Sequence, residues 1–198
     1  MAKKKYLPEE LMKLAIEESL KSIPEHIDKA DPLVGAIVTT EDGEILATAY
    51  RGELRVGEHC EYTLIERKLV GFNLKNCVLY VTLEPCIDEA RKLPKRGCST
   101  HVVKARISTV YVGMRDPNPT VENLGVNFLT SNGIKVIDFP AHLEEIIRKN
   151  NAEFIKEKEL EQMQLKLGIK EMQKSYFQIP VLTSSINEFD EDIINQFL

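Results

Sequence analysis

The chain has 198 residues, 43% hydrophobic and 29% charged, a balance suited to a soluble globular protein that buries one core. Its net charge of -5 supplies no global basic field, so a polynucleotide gripped through its phosphates is the less favoured kind of ligand. No apolar run approaches the ~20 residues that span a bilayer, and the basic start "MAKKKYLPEE" runs into acids rather than an apolar signal core. The expected compartment is therefore cytoplasmic, with no membrane involved.

Residues 8 to 22, "PEELMKLAIEESLKS", open with proline and two acids and repeat apolar residues at helical spacing. "PLVGAIVTTEDGEILATAYR" then reads as a β-hairpin turning at Asp42-Gly43. "GEHCEYTLIE", residues 57 to 66, predicts a helix with Tyr62, Ile65 and Leu69 on one side. "CVLYVTLEPC" and "STVYVGMRDPNP" are nearly all-apolar strands running into loops. A helix-like stretch near Val121 to Thr130 leads to the last strand, "IKVIDF". Apolar strands alternating with helices imply a sheet covered on both faces, a three-layer α/β/α domain ending near residue 155 with a mixed sheet of about five strands.

Beyond it, residues 156 to 198 form a C-terminal extension, helical or irregular. A stripe of Leu143, Ile147 and Phe154 is placed to pack on the domain. The tail has two readings. It docks on its own domain, or Tyr176, Phe177, Phe189, Ile193, Ile194 and Phe197, set among acids, bind a protein partner or a second protomer.

The helix at 57 opens with His59, Cys60 and Glu61, which a core helix does not require. Of four cysteines in a long chain expected in the cytosol, Cys77 opens a strand and reads as a buried small hydrophobe. Cys86 follows a proline at a strand end, and Cys98 lies twelve positions further on, with eleven residues between them. With His59 they make three ligands suited to zinc, the number a catalytic zinc uses while its fourth position stays open. His59 and Cys86 are both expected at or near helix N-termini, where the macrodipole favours a thiolate. Glu61, two residues from His59, can work as a proton carrier without being a ligand. His-x-Glu followed by Pro-Cys and a second cysteine is the pattern of zinc-dependent base deaminases, although their cysteines are usually three positions apart.

From about Asp31 to Phe154 the chain resembles the zinc-dependent cytidine and deoxycytidylate deaminase superfamily. It is most similar to the pyrimidine deaminase domain of the bifunctional riboflavin-biosynthesis deaminase-reductase, through "PLVGAIV", "GEHCE", "LYVTLEPC" and "VYVGMRDPNP". The resemblance implies a cytidine-deaminase-like fold and zinc held by His59, Cys86 and Cys98. It further implies a proton shuttle at Glu61 and substrate contacts at Asp116 and Asn118, although "DPNP" alone could be only a turn. The implied activity is hydrolytic deamination of an aminopyrimidine-type ring carried as a free ribosyl phosphate.

Three departures bear on the substrate. Asp31 stands where the family has asparagine, so a substrate-facing group there would accept hydrogen bonds but not donate them. The loop between the cysteines is longer than usual and lacks its histidine, and no reductase segment is recognisable. Lys95 and Arg96 in that loop form either a solvated face or a phosphate grip. A different free nucleoside or nucleotide is accordingly a rival substrate and a polynucleotide a weaker one. A non-catalytic binding subunit with structural zinc is the alternative of another class. Cys60 reads as a packing residue and His101 as a solvated helix residue.

Overall fold

The computed structural model describes residues 4–91, 94–118 and 121–176. Helix α1 (Pro8–Ser19) begins at a proline, which has no N–H to satisfy, and the Glu10 carboxylate accepts the Leu7 amide at 2.7 Å. Its apolar face, Leu11, Met12, Ala15 and Ile16, is buried against a hairpin of β1 (Gly35–Thr39) and β2 (Ile45–Tyr50). The hairpin turns at Gly43, whose φ of +87° a side chain would resist.

Strand β3 (Val78–Leu83) is buried along its whole length, as its nearly all-apolar run requires. It pairs antiparallel with β1 and parallel with β4 (Thr109–Met114), and β4 pairs parallel with β5 (Lys135–Asp138). The sheet order is β2-β1-β3-β4-β5, mixed and five-stranded. Helix α1 and helix α5 (Ala141–Asn150) pack together and on the sheet. Helices α2 (Cys60–Thr63), α3 (Cys98–Ala105) and α4 (Leu124–Ser131) form the other layer. This is the three-layer α/β/α arrangement. Leu143, Ile147, Phe154 and Cys77 are buried as expected.

One local expectation needs correction. After one α-helical turn, α2 continues as a π-helix, Leu64–Lys68. Leu64, one α-turn after the buried Cys60, lies in the core, and the wider turn that follows keeps Leu69 on the same side, while Tyr62 is left partly exposed. One compact unit spans Met1–Gln162, and the start of α6 (Ala152–Tyr176) is tied to the segment before the hairpin. The Ala30 amide donates to Glu157 Oε2 at 2.7 Å, and Asn151 Oδ1 accepts the Leu33 amide at 2.7 Å.

A second unit spans Met163–Leu198, and its described part is helix. Phe177, Phe189, Ile193, Ile194 and Phe197 lie outside the described residues. No helix among the described residues is long and apolar enough to cross a membrane.

The long loop between β3 and α3 is closed at its base by Asp88. Its Oδ1 accepts the Gly97 amide at 2.7 Å and the Thr100 hydroxyl at 2.8 Å, and its Oδ2 pairs with Arg96 at 2.6 Å. Gly97 is required by close approach: a Cβ there would lie 2.3 Å from the Ile87 carbonyl carbon. The Gly97 amide, followed by Arg96 and Thr100, holds the Asp88 carboxyl at a pKa of about 2. Asp88→Ala should cost about 1 kcal/mol at pH 7, the usual net value of a lost hydrogen bond. Because the folded-state pKa is depressed, this stabilisation is complete above about pH 4 and is lost as pH falls towards 2. Urea unfolding at pH 7 and at acid pH should therefore show a wild-type advantage that shrinks with acid, and a constant difference would contradict the clamp.

Candidate active site

Three chain segments converge beyond the end of β3. His59 is the N-cap of α2, so its side chain leaves the helix where the first amides are unpaired. Cys86 follows Pro85 just past β3. Cys98 is the first residue of α3, so the cysteine at an α-helix N-terminus is Cys98 and not Cys86, which a short 3-10 turn (Asp88–Ala90) follows instead. The Cys86 carbonyl accepts both the Ser99 amide, at 3.0 Å, and the Ser99 hydroxyl, at 2.9 Å. Those bonds tie the two cysteine-bearing segments together.

One ligand atom from each of His59, Cys86 and Cys98 lies within 4.8 Å of the other two. His59 Nδ1 is 3.6 Å from Cys86 Sγ and 3.4 Å from Cys98 Sγ. Tetrahedral zinc, with bonds of about 2.0 Å to nitrogen and 2.3 Å to sulfur, sets these atoms about 3.6 Å apart. The donor set fits zinc in both chemistry and spacing. Without a cation the two thiols share protons unequally. The Cys98 thiol, then burial working in opposition, then His59 act on Cys86, and the hydrogen bonds win and hold it well below its usual pKa. The hydrogen bond to Cys86, with burial, pushes the Cys98 thiol up. A divalent cation removes the conflict by allowing both to be thiolates.

Glu61, only 3% exposed, sits in the first turn of α2, and burial raises its pKa. It is not one of the three clustered ligands. Cys60, expected only to pack, is fully buried and also donates its thiol to Glu61 Oε2 at 3.3 Å. His101 is not solvated: its side chain is 12% exposed, bonds to Glu66 at 2.6 Å and meets Tyr62 edge-on with ring centroids 5.1 Å apart.

A cleft beside the cluster is lined by His59, Glu61 and Cys86 together with Pro32, Val34, Arg51, Glu84, Asp116 and Phe154. Asp116 is thus brought to the cleft, where burial raises its pKa, while its Oδ1 accepts the Asn118 amide at 2.9 Å. Asn118 is half-buried and does not line the cleft. Asp31 does not line it either. Its side chain is 8% exposed and its oxygens are occupied: Oδ2 by the Glu25 and His26 amides at 2.6 and 2.8 Å, Oδ1 by Arg51 at 2.9 Å and the His26 ring at 3.0 Å. Burial would raise the Asp31 pKa, but those bonds outweigh it and lower it.

Two cleft residues escaped the sequence reading. Arg51 ends the hairpin as an isolated cation, and no spacing marks it. Glu84 had a signal, a charge at the end of an otherwise apolar strand. Its carboxylate is buried and accepts the amides of Asp116 at 3.2 Å, Asn123 at 3.0 Å and Val126 at 3.0 Å, joining the "LEPC" and "DPNP" segments.

A second cavity shares His59 and is lined by Arg55, Arg67, Arg91, Lys95, Arg96, Tyr62 and His101. It brings Lys95 and Arg96 beside the metal-ligand cluster, with Glu58 as the acid among the lining residues. Arg91 touches His59 Nε2, the ring nitrogen turned away from the sulfurs.

Residues 6–114 match the sequence profile of the cytidine and deoxycytidylate deaminase zinc-binding region. The chain is 32% identical over 149 residues to the diaminohydroxyphosphoribosylamino-pyrimidine deaminase of Schizosaccharomyces pombe, covering 74% of this chain and 35% of that one. It is 34% identical over 108 residues to the riboflavin biosynthesis protein RibD of Actinobacillus pleuropneumoniae, covering 54% of this chain and 27% of that one. The crystal structure of the Thermotoga maritima diaminohydroxyphosphoribosylaminopyrimidine deaminase/5-amino-6-(5-phosphoribosylamino)uracil reductase superposes with a TM-score of 0.60 at 36% identity. That alignment covers 71% of this chain and 38% of the other. The chain thus spans about a third of the length of such relatives, the part that carries the metal cluster. By the profile match, the donor set and the shared fold, the chain belongs to the cytidine and deoxycytidylate deaminase zinc-binding family.

Proposed function

We propose that the chain is a hydrolytic deaminase of an aminopyrimidine-type ring carried on a free ribosyl phosphate, as its riboflavin-biosynthesis relatives are named for. The observation that carries this reading is Glu61, a buried carboxyl in the same cleft as a three-ligand cluster of which it is not a member. A purely structural zinc site needs no such carboxyl.

In this reading His59, Cys86 and Cys98 hold zinc, which when bound makes water nucleophilic near neutral pH. Glu61 takes a proton from the attacking water and gives it to the ring nitrogen next to the carbon under attack. It then takes the second proton of that oxygen and hands it to the amino group, which leaves as ammonia. Its raised pKa suits a group that must alternate between acid and base. The Cys60 thiol holds one carboxylate oxygen and leaves the other to move protons. Asp116 supplies a hydrogen-bond acceptor to the ring's amino groups, and Glu84 holds the Asp116 backbone in place.

The cation-lined second cavity suits the substrate's phosphate, with Lys95, Arg96 and Arg55 at its rim. This reading implies a cytoplasmic enzyme of small-molecule metabolism. The tail beyond residue 176 stays a candidate surface for a partner or second protomer.

Purified protein should carry one zinc per chain, and His59→Ala and Cys86→Ser should each lose it. Elemental analysis showing full zinc in both variants would remove the site. Glu61→Gln should keep zinc and fold yet lose at least ~10²-fold in turnover, measured as ammonia release from the phosphoribosylaminopyrimidine. Turnover near wild type would end the shuttle role. Lys95→Ala and Arg55→Ala should each raise KM about 2- to 5-fold for the phosphorylated substrate and leave the dephosphorylated form unchanged, the effect of an exposed charge pair.

A further inference from the structure

Arg51 is the one cation lining the inner cleft among the described residues, and its side chain is only 7% exposed. Its backbone is fixed, with its amide donating to Val34 O at 2.8 Å and its carbonyl accepting from Ile23 at 2.9 Å. Nη2 donates to both Glu25 and Asp31, at 2.9 Å each. Nη1 is buried and has no hydrogen-bond partner among the described residues. A buried guanidinium N–H left unpaired is costly, and such a group in a binding cleft marks the place of an acceptor that arrives with the ligand.

The charge around Arg51 decides which acceptor. Asp31 and Glu25 together carry one more negative charge than the guanidinium offsets, and Glu61, Glu84 and Asp116 line the same cleft. A phosphate dianion would meet net repulsion there, whereas the cavity on the other side of His59 is rich in cations. An uncharged oxygen meets neither difficulty. We propose that Arg51 Nη1 donates a hydrogen bond to an uncharged oxygen of the substrate, a ring carbonyl or a sugar hydroxyl, and so determines which ring or nucleoside is accepted. Asp31 and Glu25 are positioning residues that hold the guanidinium and neutralise its charge. The Asp31 in place of the family's asparagine thereby acts through Arg51 and not by touching substrate.

This inference rests on the ring-binding half of the function proposed above, so its test reads binding separately from turnover. The zinc-loaded Glu61→Gln protein, in which turnover is expected to be slowed at least ~10²-fold, is titrated calorimetrically. The probes are diaminohydroxyphosphoribosylaminopyrimidine and cytidine 5′-phosphate, the dephosphorylated form of each, and the free bases. Adding Arg51→Lys, which keeps the charge facing Asp31 but removes the second arm of the fork, should weaken the binding probe by at least about 10-fold. The loss should be equal with and without phosphate. Persistence of the loss in the free base identifies a ring carbonyl, and its disappearance there identifies a sugar hydroxyl.

Should Arg51→Lys fail to fold, the double variant Arg51→Gln/Asp31→Asn, which strands no buried aspartate, is expected to give the same equal loss. Unchanged affinity, or a loss confined to phosphorylated probes, would overturn the assignment. Absence of binding by every probe would overturn it together with the deaminase reading. Binding with the Arg51-dependent loss, but no turnover by the Glu61 enzyme, would overturn the deaminase reading alone.

Discussion

Two cysteine sulfurs and an imidazole nitrogen will not stay within metal-bonding reach of one point unless the backbone behind each is fixed. Left alone, the sulfurs repel once both are ionised, and burial raises the cost of each charge. The fold meets this constraint by ending one fully buried strand, β3, against the starts of two helices. Gly97 lets the second cysteine segment lie directly on the first, and Asp88 and Ser99 stitch them together. The eleven-residue loop between the cysteines can therefore differ in length from the usual pattern without moving the ligands. Its ends are fixed, and only its middle is free to vary.

Around that fixed point the molecule separates charge. The inner cleft holds Glu61, Glu84 and Asp116, and the outer cavity holds Arg55, Arg67, Arg91, Lys95 and Arg96. With both cavities touching His59, a ligand that is amino-rich at one end and anionic at the other has one favourable orientation. At an exposed rim each charge contributes only a few tenths of a kcal/mol to about 1 kcal/mol, so the separation sets orientation more than affinity.

The metal cluster was legible in the sequence because its signal is chemical. A histidine, two cysteines and an offset glutamate in this order have few other uses. The sheet was legible for a related reason: β3 is nearly all apolar, with no alternation of polar residues that would suit a solvent-facing side. What could not be read depended on distances through space. Arg51 is one arginine after one strand, and only the fold shows it held by Glu25 and Asp31 beside the cluster. Asp31 looked like a change of substrate contact because a departure from a family pattern gives no direction for the side chain. Its oxygens are filled by the chain itself. The π-helical continuation of α2 was hidden because apolar periodicity assumes a 3.6-residue turn, whereas here Leu64 and Leu69, five residues apart, are both buried.

Arg51 and Asp31 also bear on how one scaffold changes ligand while keeping its chemistry. The groups proposed to move protons and hold the metal sit just past the end of β3 and on helix starts, where a displacement of one would disturb the others. The groups argued to read the ring sit on the hairpin end and the preceding segment, joined to the cluster only across the cleft. A substitution there alters hydrogen-bond complementarity without touching the metal geometry. An aspartate can replace asparagine in such a place only if its added charge is neutralised, and Arg51 does that. The exchange is therefore supported from both sides: the acid keeps the guanidinium in position, and the His26 amide and ring and the Glu25 amide, with a smaller contribution from Arg51, outweigh burial and keep the acid's pKa below its usual value. An inward-facing asparagine would offer both a donor and an acceptor. The pair offers a donor alone, backed by a charge, and a ligand that presents an oxygen there is favoured over one that presents an N–H.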